Sequence, residues 1–327
     1  MSISKIDLVL YSNIGKFVTA PKASIGKIGG QDVPVISTRG IYAGGANSGP
    51  NVIQYVTIET TGNAIDFGDL MGDSWDFGAL ASSTRGIFIC GNQSGVRNII
   101  SYITISTLGN ASDFGDALIP ARSFATCSSS TRGLKSGGYF LPADTPILNV
   151  IDYITIATLG NTTDFGDLSI AVAINSGSAS PTRGVFYGGM TTIAQDSISY
   201  VTINTTGNTT NFGNLSVAAY DSGACSSNIR GLVALGYTSV SVNTIEYITI
   251  DSIGNTIDFG DLTVVRSYLT GCSSPTRGVF FGGFSAGVKN TIDYVTIAST
   301  GNATDFGYLI AKEYSGESMS NGHGGLQ

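Results

Sequence analysis

The residues of this chain that could do acid–base chemistry are few. His323 is the only histidine. Hydrolytic triads and general acid–base sites usually need a histidine or a tuned carboxylate in a cleft. Five aspartates recur at a regular interval: Asp66, Asp113, Asp164, Asp258 and Asp305. A carboxylate pair that cleaves a glycosidic bond would have to be built between repeats. That possibility stays open, but we predict no catalytic residue.

Six arginines recur with a following glycine, at intervals of 46, 47, 51, 47 and 47 residues: Arg39, Arg85, Arg132, Arg183, Arg230 and Arg277. One hypothesis is a ring of guanidinium groups that grips an anion. The other is structural, with each Arg bound to an aspartate of its own repeat, such as Asp69 or Asp261, because Arg suits bidentate carboxylate contacts. One repeat has Asn211 and Asn214 in place of the acids. We favour the structural role.

Cysteine and histidine do not form a cluster with the spacing of a metal site. Three of the four cysteines, Cys127, Cys225 and Cys272, lie five residues before a repeated Arg, and Cys90 stands alone. Equivalent positions in different repeats point the same way, which disfavours pairing. We expect buried free thiols, no metal and no cofactor.

The repeat itself predicts four strands per unit. In its clearest copy a small Ser-rich run, Thr270–Ser274, precedes Gly278–Gly282, then Thr291–Ala298, then an Asp-Phe-Gly segment. Repeated tyrosines and phenylalanines keep the interval, as do Gly-Asn pairs that suit a tight hairpin turn. The third strand is largely apolar on both faces and so needs cover on both sides. Stacked four-stranded sheets of this period predict a β-propeller.

The last residues of the chain look like an unfinished repeat. Counting 46 residues from Arg277 reaches His323, which predicts two strands within 316–327 and makes His323 a substitute for a turn Arg. Lys5–Leu10 resembles Thr291–Thr296, and a glycine and Phe17 follow it. We therefore expect residues 5–17 to supply the other two strands of a shared blade. The prediction is a single all-β domain over residues 1–327, a seven-bladed propeller.

Composition narrows the function. The formal net charge is −7 and the isoelectric point is about 4.6, which disfavours a nucleic-acid partner, since phosphates need a basic patch. We expect no membrane insertion, because no apolar run has the length of a membrane span. The first residues lack a basic stretch followed by an apolar one, so we expect no secretory signal.

The repeat resembles the kelch family, with a second strand that ends in Gly-Gly, a Tyr-bearing third strand and an aromatic fourth strand. Phe stands in Asp-Phe-Gly where many kelch repeats have Trp. The unit also resembles degenerate Thr-Arg-Gly and Asp-Phe-Gly-Asp repeats of virion structural and tail-fibre proteins of large tailed phages, cyanophages especially. The resemblance implies the fold and a virion protein made in the host cytoplasm, with other virion proteins as partners. It carries no catalytic residue across.

The loops predict where a partner binds. In a four-stranded meander, the loops between strands one and two and between three and four share one face, and these are nearly constant here. The loops on the other face differ from blade to blade, and such individuality on a rigid scaffold usually marks recognition. That face collects aromatic residues, which could stack on sugars or pack against a protein: Trp75, Phe77, Phe124, Tyr139, Phe140, Tyr220, Tyr268, Phe284 and Tyr314.

The sequence supports one leading hypothesis and two alternatives. The leading one is a non-enzymatic virion protein whose propeller binds a host surface glycan at a tail or fibre, or decorates the particle. The alternatives are a propeller enzyme that acts on polysaccharide and an intracellular kelch-type interaction module. Close carboxylates in a deep central funnel would favour the enzyme. An oligomer is compatible with each of them.

Overall fold

The computed structural model describes residues 25–28, 31–34, 38–93, 95–96 and 98–326. Contacts divide the chain into two units, Met1–Ser37 and Thr38–Gln327. In the first unit, Ile25–Ile28 pairs antiparallel with Gln31–Pro34. The second unit holds all the features described below. No helix among the described residues is long and apolar enough to cross a membrane.

The second unit is a ring of six four-stranded antiparallel meanders, a β-propeller. The first strands of neighbouring blades contact one another around the whole ring, so they lie at the axis. From the first strand outward, the blades are: blade 1, Glu317–Ser320, Arg39–Ala43, Val52–Thr57 and Ile65–Asp69; blade 2, Gly78–Ala81, Arg85–Ile89, Ile99–Thr104 and Ser112–Asp116; blade 3, Ala125–Ser128, Arg132–Ser136, Val150–Thr155 and Thr163–Asp167; blade 4, Ser176–Ala179, Arg183–Met190, Ala194–Thr202 and Thr210–Asn214; blade 5, Gly223–Ser226, Arg230–Ala234, Thr244–Thr249 and Ile257–Asp261; blade 6, Thr270–Ser273, Arg277–Phe281, Thr291–Thr296 and Thr304–Tyr308.

The loops add three short pieces of structure. Asn92–Gln93 pairs with Gly95–Val96, and Ala121–Arg122 pairs with Tyr139–Phe140. A 3-10 helix spans Gly324–Leu326.

The prediction of seven blades is wrong, and so is the shared blade with two strands from each end. Blade 1 takes only its first strand, Glu317–Ser320, from the C-terminal part of the chain, and the other three from residues 39–69. The proposed contribution of residues 5–17 lies outside the described residues. The six repeated arginines begin the second strands of the six blades. The sequence prediction assigned the C-terminal repeat to a seventh blade, although its first strand belongs to blade 1.

The physical reason is the position of Arg39. Its backbone N–H donates to Asn321 Oδ1 at 2.8 Å, as the Arg85 N–H donates to Ser82 Oγ at 3.1 Å in blade 2. Arg39 therefore already occupies the place at which the repeat count put His323. After Asn321 the chain turns away and does not form a second strand.

Residues 323–326 instead enter the axis at the face of the constant loops. His323 Nε2 lies 2.9 Å from the Ala81 carbonyl, and Gly325 N–H donates to Nδ1 at 3.2 Å. Loss of water around the imidazole lowers the pKa of His323 to about 4, so the ring is neutral at pH 7. A Cβ on Gly324 would lie 2.3 Å from the Ser227 carbonyl oxygen, so this position requires glycine.

The core consists of apolar layers between successive blades. The layer between blades 1 and 2, for example, contains Ile53 and Phe67 from one blade and Phe88 and Ile103 from the other. Both faces of each third strand contribute, as the sequence predicted. All four cysteines are buried and free, also as predicted.

The repeated arginines join neighbouring blades. Each Nη1 donates to a backbone carbonyl of the next blade at 2.7 to 3.1 Å, for example Arg183 to Ile250 at 2.7 Å. Each guanidinium also lies 4.3 to 4.8 Å from the ring centre of its own blade's tyrosine, such as Tyr200. In the part of the chain that the structure describes, none of the ion pairs includes a repeated Arg, so the expected Arg–Asp pairing is wrong.

The Gly-Asn pairs form a second set of hydrogen bonds between neighbouring blades. Each Asn side chain accepts a backbone N–H from the fourth strand of the preceding blade, as Asn110 does from Asp69 at 3.0 Å. The loop that carries it spans seven residues in blade 1, between Thr57 and Ile65, so it is not the tight hairpin turn predicted. A Cβ on Gly68 would lie 2.5 Å from the Gly109 carbonyl oxygen, which explains the glycine of Asp-Phe-Gly.

We predict that Arg183→Ala lowers the free energy of unfolding by about 1–3 kcal/mol, because it removes one hydrogen bond to a carbonyl and one cation–π contact. Equilibrium unfolding in urea measures the change. The control is Lys312→Ala, whose side chain is exposed and which should change stability by less than about 0.5 kcal/mol. Equal effects of the two substitutions would contradict the role of Arg183 between blades.

Candidate functional site

The face of the variable loops has a funnel at its centre, with a volume of about 610 Å³. This is within the range of about 300–1,000 Å³ typical of small-molecule sites. Its wall comes mainly from the loops that join one blade's fourth strand to the next blade's first strand. The 3-10 helix Gly324–Leu326 contacts the first strands of blades 3, 4 and 5, and it occupies the axis on the side of the constant loops.

A ring of six residues with left-handed backbone surrounds the funnel. Their φ angles are 52° to 57°, and one lies in each loop that leads into a first strand: Asp76, Ser123, Ile174, Asp221, Tyr268 and Ser315. This conformation is uncommon outside glycine, and for a β-branched residue such as Ile174 it is an outlier. Non-glycine residues held in this way often lie at functional sites.

Hydrogen bonds hold this ring in place. In five of its six neighbouring pairs the backbone N–H of one member donates to the carbonyl of the preceding one, for example Ile174 to Ser123 at 2.6 Å and Asp76 to Ser315 at 2.9 Å. The residue before each member is bonded through its backbone to the second strand of the same blade or to the segment after it, as Trp75 is to Asn92. The ring thus repeats its φ angle in all six blades and its hydrogen bond in five of the six pairs, while the side chains differ.

Four carboxyl groups line the funnel, from Asp76, Asp144, Asp221 and Glu317, with one guanidinium, that of Arg122. Arg122 donates to Asp144 from Nε at 2.8 Å and from Nη2 at 2.9 Å, and to Asp76 from Nη1 at 3.0 Å. Hydrogen bonding to Arg122 lowers the pKa of Asp144.

The other three carboxyl groups have raised pKa values. Burial, reinforced by the charge of Asp76, raises the pKa of Asp221 to about 8. Burial likewise raises the pKa of Glu317 to about 8, although Thr270 Oγ1 donates to it at 3.2 Å. The pKa of Asp76 rises through burial, against the opposing effects of Ser315 and Arg122. The funnel therefore holds protons at neutral pH that ordinary carboxyl groups release.

Five of the nine predicted aromatic residues meet at the funnel: Trp75, Phe124, Tyr139, Tyr268 and Tyr314. Tyr268 is 39% exposed, and its ring centre lies 5.9 Å from that of Tyr314. The Arg122 guanidinium lies 5.1 Å from the ring centre of Tyr139. The sequence thus predicted five of the 18 residues that line the funnel.

The other four lie elsewhere. Phe77 is buried between blades 1 and 2, and Phe140 packs against the layer between blades 2 and 3. Tyr220 pairs with Tyr237 at 5.1 Å between ring centres. Phe284 is 40% exposed and lies 5.8 Å from Tyr314 without lining the funnel.

The five repeated aspartates do not come together. Each is exposed on the fourth strand of its blade, at the outer edge of the ring: Asp66, Asp113, Asp164, Asp258 and Asp305. The carboxyl groups that do converge were missed, because their types differ between blades. One signal was present: Asp76, Ser123, Ile174, Asp221 and Tyr268 each lie nine residues before a repeated Arg.

Within the described part of the chain, no group of three or more His, Cys, Asp or Glu residues could hold a metal ion. Models of known protein families do not match the chain, and no curated protein matches it.

Asp221→Asn should remove a pH dependence of stability. An unfolded Asp ionises near pH 4 and folded Asp221 near pH 8. The contribution of Asp221 to the stability of the wild type is therefore fully present below about pH 4. It is lost as the pH rises through about 8. We expect the variant to be the more stable protein at about pH 9 and similar to wild type at about pH 4, by urea unfolding.

Asp144→Asn is the matched control. The pKa of Asp144 is lowered by Arg122, so this substitution removes stability at neutral pH and the wild type loses the same stability on acidification. An Asp221→Asn variant that is less stable than wild type at about pH 9 would show that burial does not raise the pKa of this carboxyl group.

Proposed function

We propose that this propeller is a non-enzymatic carbohydrate-binding protein of a phage virion, and that it holds a host surface glycan in the funnel. One observation carries the proposal: aromatic rings and hydrogen-bonding carboxyl groups from different blades converge on one cavity of ligand size. The backbone that presents them is the same in every blade, so the differences between blades concern the side chains in the funnel.

The chemistry of the wall suits a sugar. Trp75, Tyr139 and Tyr268 offer flat apolar faces, and sugar rings present C–H groups that pack against such faces. Asp221, Asp76 and Glu317 supply acceptors and, when protonated, donors for hydroxyl groups. A site with both kinds of group fixes orientation as well as affinity.

The virion location is supported by resemblance alone. The Thr-Arg-Gly and Asp-Phe-Gly-Asp repeat is similar to repeats of phage structural and tail-fibre proteins, and its strand layout is similar to that of kelch repeats. In a virion the partners would be other virion proteins and the host glycan. Particle decoration would use the same scaffold with a protein neighbour in place of the glycan.

A second candidate, cleavage of a glycosidic bond, is favoured by the presence of Asp76 and Asp221 in one funnel. Such enzymes pair a protonated acid with an ionised carboxylate, so their environments push the two pKa values apart. Here the pKa values of both residues are raised. The pKa of Asp144 is lowered, but Arg122 binds this carboxylate through both of its oxygens. Binding therefore accounts for the wall better than hydrolysis does.

A glycan array with the purified protein tests the proposal. We expect a restricted set of glycans to bind, and Trp75→Ala and Tyr268→Ala each to weaken the best of them about tenfold, since each removes a stacking face. Val240→Ala is the control, because Val240 is 62% exposed on a loop of the same face and does not line the funnel.

Two results would overturn the proposal in different ways. Failure of every glycan to bind would remove the carbohydrate function. Release of new reducing ends from a bound glycan, abolished by Asp221→Asn, would replace the binding protein with a glycosidase.

The virion location has its own test. We expect antibodies against the protein to label particles of the source phage in electron micrographs, at a tail or fibre if it binds the host and on the head or neck if it decorates the particle. Purified particles without the protein would contradict the virion proposal while leaving glycan binding untouched.

A further inference from the structure

The funnel has more carboxyl groups than cationic groups. Its wall contains four carboxyl groups and one guanidinium. That guanidinium, of Arg122, is already engaged by Asp144 through two hydrogen bonds and by Asp76 through one. None of the ion pairs among the described residues includes Asp221 or Glu317.

Asp221 is the least satisfied of these groups. It is 8% exposed, and its Oδ2 is a buried oxygen without a hydrogen-bond partner. It lines the funnel and shares a hydrogen bond with Tyr268. A buried carboxyl oxygen without a donor is costly, so native structures rarely retain one without a role. Asp221 therefore has an acceptor available for a ligand that enters the funnel.

Aromatic rings border the same position. Tyr139 and Tyr268 line the funnel together with Asp221, and the charge of Asp221 acts on both phenols. Carboxylates combined with aromatic faces form sites for ammonium groups, because the ring faces and the carboxylate both attract a cation. A sugar hydroxyl could donate one bond to Oδ2, whereas an ammonium group donates the same bond and also favours the ionised form of Asp221, which burial alone disfavours.

We propose that the funnel recognises a ligand through a protonated amine placed at Asp221 and enclosed by the neighbouring tyrosines. This rests on the proposed function for the remainder of the ligand, which makes the preferred class a glycan that contains an amino sugar with a free amine. An N-acetylated sugar of the same shape lacks the positive charge and should bind less well.

Isothermal titration calorimetry with three probes tests this: a glucosamine oligosaccharide, the N-acetylglucosamine oligosaccharide of equal length, and cadaverine, a diamine without a sugar. We expect wild type to bind the glucosamine oligosaccharide about tenfold or more tightly than its N-acetylated counterpart, as a charge-assisted hydrogen bond gives. Asp221→Asn should bring that ratio close to one, by weakening the glucosamine oligosaccharide more than the N-acetylated form.

Asp196→Asn is the matched control, since Asp196 is exposed on blade 4 and does not line the funnel. It should keep the preference of the wild type. A folded Asp221→Asn variant, checked by its urea unfolding curve, that retains the preference would overturn the inference.

The outcomes separate the two proposals. Equal binding of both oligosaccharides to wild type would refute the proposed amine site and leave the glycan-binding proposal intact. Cadaverine binding that Asp221→Asn abolishes, with no glycan bound by any variant, would support the amine site and contradict the carbohydrate function. If wild type binds none of the three probes, the amine site is refuted.

Discussion

The hydrogen bonds between successive blades are the constraint on which the rest of this molecule depends. A repeated Arg donates to a carbonyl of the next blade, and a repeated Asn accepts an N–H from the preceding one. Each of these hydrogen bonds joins a side chain to the backbone of a neighbouring blade. It therefore does not depend on which side chain the neighbouring blade has at that position. The same two contacts can therefore recur six times while the surrounding side chains change.

Closure of the ring follows from that regularity. The strand Glu317–Ser320 enters blade 1 beside Arg39–Ala43, and Asn321 bonds the Arg39 backbone where a serine does so in other blades. The ring closes through hydrogen bonds and not through a covalent bond. The chain after Asn321 continues into the axis of the propeller. With the ring closed, the loops on the opposite face meet, and their left-handed residues form the wall of the funnel.

Much of the fold could be predicted from the sequence, because period, turns and alternation are local signals. The third strand of blade 6 was predicted at Thr291–Ala298 and lies at Thr291–Thr296. The number of blades could not be predicted from the sequence. The alignment of His323 with a repeat position does not show whether Arg39 already occupies that position in the same blade. Of the wall of the funnel, the sequence predicted the aromatic residues but not the carboxyl groups. Aromatic residues stand out in a variable loop, whereas Asp76 and Asp221 are far apart in sequence and are brought together only by ring closure.

The most direct test is a crystal structure of the protein soaked with the glycan that it binds best. The binding proposal predicts sugar density in the funnel, with a ring stacked on Trp75 or Tyr268 and a polar group within hydrogen-bond distance of Asp221. Sugar density confined to the constant-loop face or to the outer strands would contradict it, because those surfaces repeat the same scaffold and the funnel would then have no part in recognition.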